Sequence, residues 1–311
     1  MPSSNFVVSS LPSYVENNKD LIIKNFALVG TASRKRFGLQ TGIKTSAYLN
    51  FLELAPVLQD GKGCGFSASG TATLTQKTIT TAIIKINMDV CPDSLLGKWG
   101  EYLVKIGASA ESLPFEQYIV DGLVAEINKK IEKLIWQGDH TQSSDTDIKW
   151  IDGIIYQLTN DAAVIDTAIA YGTNAYNAIK AVYMDLPEEV LERGAEIYVS
   201  PARYREFLQA LVDKNFFHYS GPQDAAPEEF IFPGTDVKVV KTPGLSGVNY
   251  SIVGTFPANF VYGCDAEGDT EDIKIWFSDD DDLFKVKVKW NSGIAYHFGN
   301  LIVLGTIAES E

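Results

Sequence analysis

Residues 114–138 read PFEQYIVDGLVAEINKKIEKLIWQG. Within them Phe115, Tyr118, Ile119, Leu123, Ile127, Ile131, Leu134 and Ile135 recur at steps of three and four, which lines up one apolar face of an α-helix. Val120 and Val124 widen that face, so the helix is expected to pack against more than one layer. Ser112 suits the N-cap, and Pro114 falls near the first helical position, where its missing N–H costs nothing. Glu116 and Asp121 lie toward the start and Lys129, Lys130 and Lys133 toward the end, as the macrodipole favours. Glu126 and Lys130 are spaced for an i,i+4 pair, and Gly138 is a natural stop. At 1.5 Å per residue this helix spans roughly 35 Å, about the width of a domain. A helix of that length reads either as a backbone element on which other parts hang or as a long core helix of an ordinary α+β enzyme.

Upstream, Leu11 to Val29 reads as a partly polar arm with a helix in it, too small for a core of its own. The basic run Arg34-Lys35-Arg36 follows, either a solvated loop or a contact for acidic neighbours or nucleic acid. Residues 46–77 read as a long two-stranded loop around the turn-rich segment Asp60-Gly61-Lys62-Gly63. Such a ribbon is not stable alone in water and needs a partner surface. Ile79 to Val90 is a better-buried strand, and Asp93 to Ser109 a short helical region.

Downstream, the polar stretch after Gly138 and the step Ile151-Asp152-Gly153-Ile154 mark the crossing into a second lobe. There, helices are expected at 176–184, from 187 and at 201–216, the last capped by Ser200. Strands are expected at 195–200, 237–241, 250–255 and 259–262. A closing meander at 273–278, 283–290 and 294–304 contains Phe284-Lys285-Val286-Lys287-Val288-Lys289-Trp290, which alternates strictly, as a half-buried antiparallel strand does.

With 311 residues, 45% of them apolar, the chain can build a sizeable core. A net charge of −14 argues against non-specific nucleic-acid binding over the whole surface. Cys64, Cys91 and Cys264 are far apart and read as reduced thiols. No basic n-region with an apolar run opens the chain, and no apolar stretch is long enough to span a membrane.

Catalytic patterns are missing. No phosphate loop, dinucleotide fingerprint, H-E-x-x-H or nucleophile elbow occurs, and His140, His218 and His297 are widely separated. The run Asp279-Asp280-Asp281-Asp282 is the densest charge cluster. It reads as a solvated hairpin loop; its rival reading is a metal site of an acidic metal-dependent enzyme, without the spacing of an EF-hand.

The order of these parts resembles the major capsid proteins of tailed bacteriophages, the Hong Kong 97-type fold. Three stretches carry the resemblance: Ile135-Trp136-Gln137-Gly138-Asp139 followed by Ile151-Asp152-Gly153-Ile154; Ile197-Tyr198-Val199-Ser200-Pro201-Ala202-Arg203-Tyr204; and Asn259-Phe260-Val261-Tyr262-Gly263-Cys264-Asp265 leading into Ile275-Trp276-Phe277-Ser278, the lysine-alternating strand and Gly293-Ile294-Ala295. The resemblance implies an N-arm at 1–45, an E-loop at 46–77, a P-domain at 78–150 and 265–311 with spine helix 114–138, and an A-domain at 151–264. It implies a structural protein of the virion, made in the bacterial host cytoplasm, without catalysis, cofactor or membrane. Copies would assemble as hexamers and pentamers into an icosahedral shell around double-stranded DNA.

The implied partners are further copies, a portal, decoration or separate scaffolding proteins, and packaged DNA on the inner face. No cleaved scaffolding segment ahead of the arm is expected, and scaffolding, if any, is expected from a separate protein. Arg34, Lys35, Arg36, Lys62, Trp136 and Asp139 are the residues assigned to assembly. Lys62 stands where some members crosslink to a neighbour's Asn, although no Asn and Glu partner set is recognisable. An encapsulin-type shell around a cargo enzyme shares the same fold and is the alternative.

Overall fold

A computed structural model describes residues 32–58, 69–91, 115–143, 147–214, 228–265, 272–278, 280–281 and 283–308. The expected arm helix, the helical region at 93–109, Ser112, Pro114, Cys64, Lys62, His218, Asp279 and Asp282 lie outside these residues. The first half contains β1 (Gly38–Gln40), β2 (Ser46–Pro56), β3 (Gly70–Thr80), β4 (Ala82–Val90) and the long helix α1 (Phe115–Gln137). Then come α2 (Ile154–Thr159), β5 (Ile165–Ile169), α3 (Ala175–Asp185), α4 (Glu188–Glu192), β6 (Glu196–Val199) and α5 (Pro201–Asp213). The chain closes with β7 (Glu229–Ile231), β8 (Lys238–Lys241), β9 (Ser251–Thr255), β10 (Phe260–Gly263), β11 (Asp272–Ser278), β12 (Leu283–Tyr296) and β13 (Val303–Ile307). Among the described residues no helix is long and apolar enough to cross a membrane.

Helix α1 occupies the expected span and buries Val120, Ile127, Ile131, Leu134, Ile135 and Trp136. Its surface pairs differ from the expected set. Lys129 takes Glu126 at 2.6 Å, and Lys130 instead reaches across to Asp147. No basic residue lies in the last turn. The C-terminus is closed by backbone: the Gly153 N–H donates to the Gly138 carbonyl at 2.8 Å, and the Asp139 N–H to the Ile148 carbonyl at 2.8 Å.

Two sheets flank α1. The first runs β1-β10-β12-β11, with β4 also paired to β12. Its axis is β12, a single strand of 14 residues, where two had been expected with a break near Asn291. From Phe284 to Trp290 the apolar residues are buried and Lys285, Lys287 and Lys289 half-exposed, so one face packs on the core and the other meets water. Beyond Trp290 both faces are covered, because the Asn291 amide donates to the Ile43 carbonyl at 2.7 Å and Gly293 lies under Thr80.

The second sheet runs β5-β13-β9-β6-β8-β7. Its central strands β6 and β9 are buried on both faces, as the unbroken apolar triplet Ile197-Tyr198-Val199 requires. Ile197, Val199, Val239, Ile252 and Val303 face α3 and α5. Tyr198, Val240, Val253 and Leu304 face the core built on α1. Ser200 caps α5, accepting from the Arg203 N–H at 3.2 Å, as expected.

The linear domain division does not follow this pairing. Phe260–Gly263, placed in 151–264, pairs with β12 of the first sheet. Val303–Ile307, placed in 265–311, lies between β5 and β9 in the second. α2 packs into the spine-helix core through Ile154 and Leu158. Strand pairing joins residues distant in sequence, so each sheet draws strands from both sides of the expected boundary.

β2 and β3 form a separate two-stranded ribbon in register from Ser46↔Thr80 to Pro56↔Gly70. At 3.4 Å per residue, 11 residues reach roughly 37 Å. Among the described side chains, those of its root tie it to the body. Leu49 and Ile79 bury against Val261 and Ala295, and the Phe51 ring meets His297 edge-on at 4.5 Å. Lys77 places its Nζ 3.0 Å from Asp161 and 3.2 Å from the centre of the Tyr296 ring. The Tyr296 hydroxyl donates to the same Asp161 oxygen at 2.5 Å. Partial burial raises the Asp161 pKa, but the Tyr296 hydroxyl, the Ala163 N–H and Lys77 together outweigh it and bring it down to about 2.

Two predictions follow from these contacts. A Cβ on Gly138 would stand 2.4 Å from the Ile151 carbonyl oxygen, and one on Gly153 would stand 2.4 Å from the Gly138 nitrogen. Gly138→Ala and Gly153→Ala are each expected to lower stability by about 3 kcal/mol in denaturant titration. Gly122→Ala, in the same helix with open space around it, is expected to raise stability by about 1 kcal/mol. At the ribbon root, the stability supplied by Asp161 is full above its unfolded-state pKa and is lost as pH falls through about 2. Asp161→Asn should therefore speed hydrogen exchange at residues 76–80 at neutral pH and leave it unchanged near pH 2.

Candidate functional site

Trp136 sits at the meeting point of all layers. Its ring lies 5.2 Å from Tyr198 on β6, 5.9 Å from Phe37 and 6.0 Å from Phe260 on β10. Its indole N–H donates to the Ser33 hydroxyl at 2.7 Å, and that hydroxyl donates in turn to the buried Glu132 carboxylate one turn back along α1. Gly244 presses on Trp136 so closely that a Cβ there would approach the indole Cδ1 to 2.3 Å. The Gln137 amide donates to the Gly244 and Ser246 carbonyls. Trp136 is thus an internal keystone whose indole is sealed from any neighbour.

Asp139 stands just beyond the helix and is half-exposed. It accepts from the Thr141 N–H at 2.9 Å, the Thr141 hydroxyl at 2.6 Å and the Gln142 amide at 3.0 Å. The Thr141 hydroxyl leads the contacts that hold its pKa below the ordinary value. It shapes the turn that brings Gly153 back across the helix end.

The basic run divides. Arg34 is buried, donates to the Asn128 side chain at 3.0 Å and lies over the Tyr262 ring at 5.3 Å. Arg36 bridges Glu196 on β6 and Glu229 on β7, each at 2.7 Å. The Arg36 hydrogen bond is the main reason the Glu229 carboxyl is held below its ordinary range. Glu196 also accepts from the buried Tyr198 hydroxyl at 2.9 Å, and burial pushes that phenol well up. Both guanidiniums therefore staple residues 33–37 onto the body of their own chain. Only Lys35 is exposed.

The acidic run offers little chemistry. Asp280 and Asp281 are exposed, and Asp281 accepts from Lys285 and, at 3.2 Å, from Ser278. Among the described residues no three His, Cys, Asp or Glu side chains converge on a metal position. An open cleft of about 450 Å³ beside the helix end is lined by Gln137, Asp139, Tyr156 and Tyr250, with Asp139 its sole carboxylate. A second, of about 340 Å³, holds His140 2.6 Å from Asp152, both open to solvent.

What the surface does present is the ribbon. Tyr48 and Leu74 project from it with about two-thirds of their surface exposed, and Val57 and Leu58 follow at the end of β2, Leu58 being 99% exposed. The sequence reading expected the two-stranded ribbon, but it did not identify the Lys77–Asp161–Tyr296 root. Those residues are 84 and 135 positions apart and share no local pattern.

No protein-family model matches this chain, and no curated protein sequence matches it. Solved structures match along almost its whole length. A chain of the satellite phage P4 procapsid, solved with the size determination protein, has a TM-score of 0.60 over 95% of this chain and 100% of that one, at 10% identity. A chain from Mycobacterium phage Bobi has a TM-score of 0.53 over 91% and 94%, at 16% identity. A capsid chain of an empty GTA particle also has a TM-score of 0.53, over 90% and 92%, at 10% identity. At such identities it is the fold that is shared, and this chain has the Hong Kong 97-type capsid fold.

Proposed function

We propose that the chain is the major shell protein of a tailed-phage-type capsid. Copies pack as hexamers and pentamers into a closed icosahedral shell around double-stranded DNA. The observation that carries this reading is the ribbon: about 37 Å of paired strand, anchored at its root, with Tyr48, Val57, Leu58 and Leu74 exposed. Burying one such side chain contributes about 1.5–3 kcal/mol, and none of the described residues of the subunit covers it. Repeated at every contact of a symmetric assembly, that burial makes stability collective.

The rigid hub under Trp136 suits the same role, because it fixes where residues 33–37 leave the body and how the two sheets are set. Lys35 is the cation of the basic run available to a partner outside the subunit.

Expression of the full chain is expected to give megadalton particles with capsomers visible by electron microscopy. Joining Val57 to Gly70, which deletes residues 58–69, is expected to leave a folded subunit with unchanged circular dichroism that forms no closed shells. A wild-type chain that elutes only as a small oligomer with stoichiometric metal would overturn the reading in favour of an enzyme. Particles produced in the native host that hold a protein cargo and no DNA would support the encapsulin alternative. Denaturing mass analysis of particles tests Lys62: a ladder of multiples of the subunit mass is the result expected from crosslinking.

A further inference from the structure

One sheet face remains unexplained by the ribbon and the hub. β12 presents Lys285, Lys287 and Lys289 on its water side, and the register sets Lys85 of β4 opposite Lys289 and Lys274 of β11 opposite Lys287. Five lysines thus share one face of a protein whose net charge is −14. Like charges directly opposite on neighbouring strands destabilise a sheet. The subunit relieves this only in part. Lys285 is taken by Asp281 and feels Asp89, which sits opposite it on β4. On the other side of the strand Asp272 of β11 stands opposite Lys289 in the register, so the face carries five lysines against two aspartates, and Lys85 and Lys287 form no ion pair among the described residues.

The same hairpin carries the complementary charge. Its connection is Asp279-Asp280-Asp281-Asp282, of which Asp280 and Asp281 are exposed. From Lys285 to Lys289 is roughly 14 Å of extended strand, so the connection reaches Lys285 of its own hairpin but not Lys289. We propose that the lysine face of β4, β12 and β11 receives the aspartate-rich end of the β11–β12 hairpin of a second copy. The proposal rests on the shell-protein reading. A face on one copy and a tip on the next make a heterologous contact, which propagates around a ring when the rotation closes. Trp276, 43% exposed and in register with Lys285, favours a protein occupant over a nucleic-acid backbone, since phosphates give its ring nothing apolar to cover.

The test is a charge exchange. Lys287→Glu with Lys289→Glu is expected to cut the assembled fraction about tenfold, as is Asp280→Lys with Asp281→Lys; the four changes together are expected to restore it to within about twofold. All four positions are exposed or half-exposed, so circular dichroism of the unassembled subunit should stay unchanged. Shells forming equally well from the lysine pair variant would overturn the proposal. So would normal shells that have lost only their hold on a 30-base-pair DNA duplex added to opened particles, because the face would then serve nucleic acid. If the wild type forms no shells, the shell reading itself fails. Carbodiimide coupling of mixed ¹⁴N- and ¹⁵N-labelled copies then decides the contact alone. An inter-copy link from Lys287 or Lys289 to Asp280 or Asp281 supports it, and its absence overturns it.

Discussion

The architecture depends on one close approach of backbone to backbone. Gly138 ends the spine helix, and Gly153 crosses it with their main chains in direct contact, leaving no room for a β-carbon on either. Everything beyond the helix is placed by that crossing. It sends the chain into α2, which packs back on the spine, and it keeps Trp136 at the junction of both sheets. Gly244 makes a third such approach on the other side of the indole. Three glycines therefore permit a fit that side chains could not achieve, and the aromatic rings of Phe37, Trp136, Tyr198 and Phe260 fill the space around it.

Polar groups then lock what the glycines allow. The relay from Trp136 through Ser33 to Glu132 is buried, and each of these contacts would cost far more if broken than it contributes net. Arg36 does the same between β6 and β7, where its two carboxylate partners lie 33 residues apart in sequence. The contrast with the ribbon is physical. The body has layered cores on both faces of its second sheet, whereas the ribbon has a packed root and exposes Tyr48 and Leu74. A rigid tile with an under-satisfied projection is suited to association, because the projection loses little internal packing when it moves to fit a neighbour.

Much of this was legible in the chain. The period of α1, the Ser200 cap, the alternation of β12 and the paired strands of the ribbon are local signals, and local signals survive in a one-dimensional string. The motif Trp136 to Asp139 with Ile151 to Gly153 could be recognised as a pattern, but its cause could not. What the basic run does was also out of reach. Arg34 and Arg36 read as surface charges because their partners, Asn128, Glu196 and Glu229, are brought to them only by folding. The pairing of β10 with β12, and of β13 with β5 and β9, was out of reach for the same reason.

The sequence by itself determined the elements: an α+β chain with a long amphipathic spine, an extended ribbon, half-buried and fully buried strands, and no recognisable catalytic motif. Their hydrophobic periods follow from side-chain geometry on a helix or a strand and need no knowledge of neighbours. Only the tertiary structure decided which strand joined which sheet, which charges were internal, and which glycines mattered. Those outcomes depend on contacts between residues up to about 250 positions apart, as between Asn291 and Ile43, and long-range packing rather than local preference sets their energy.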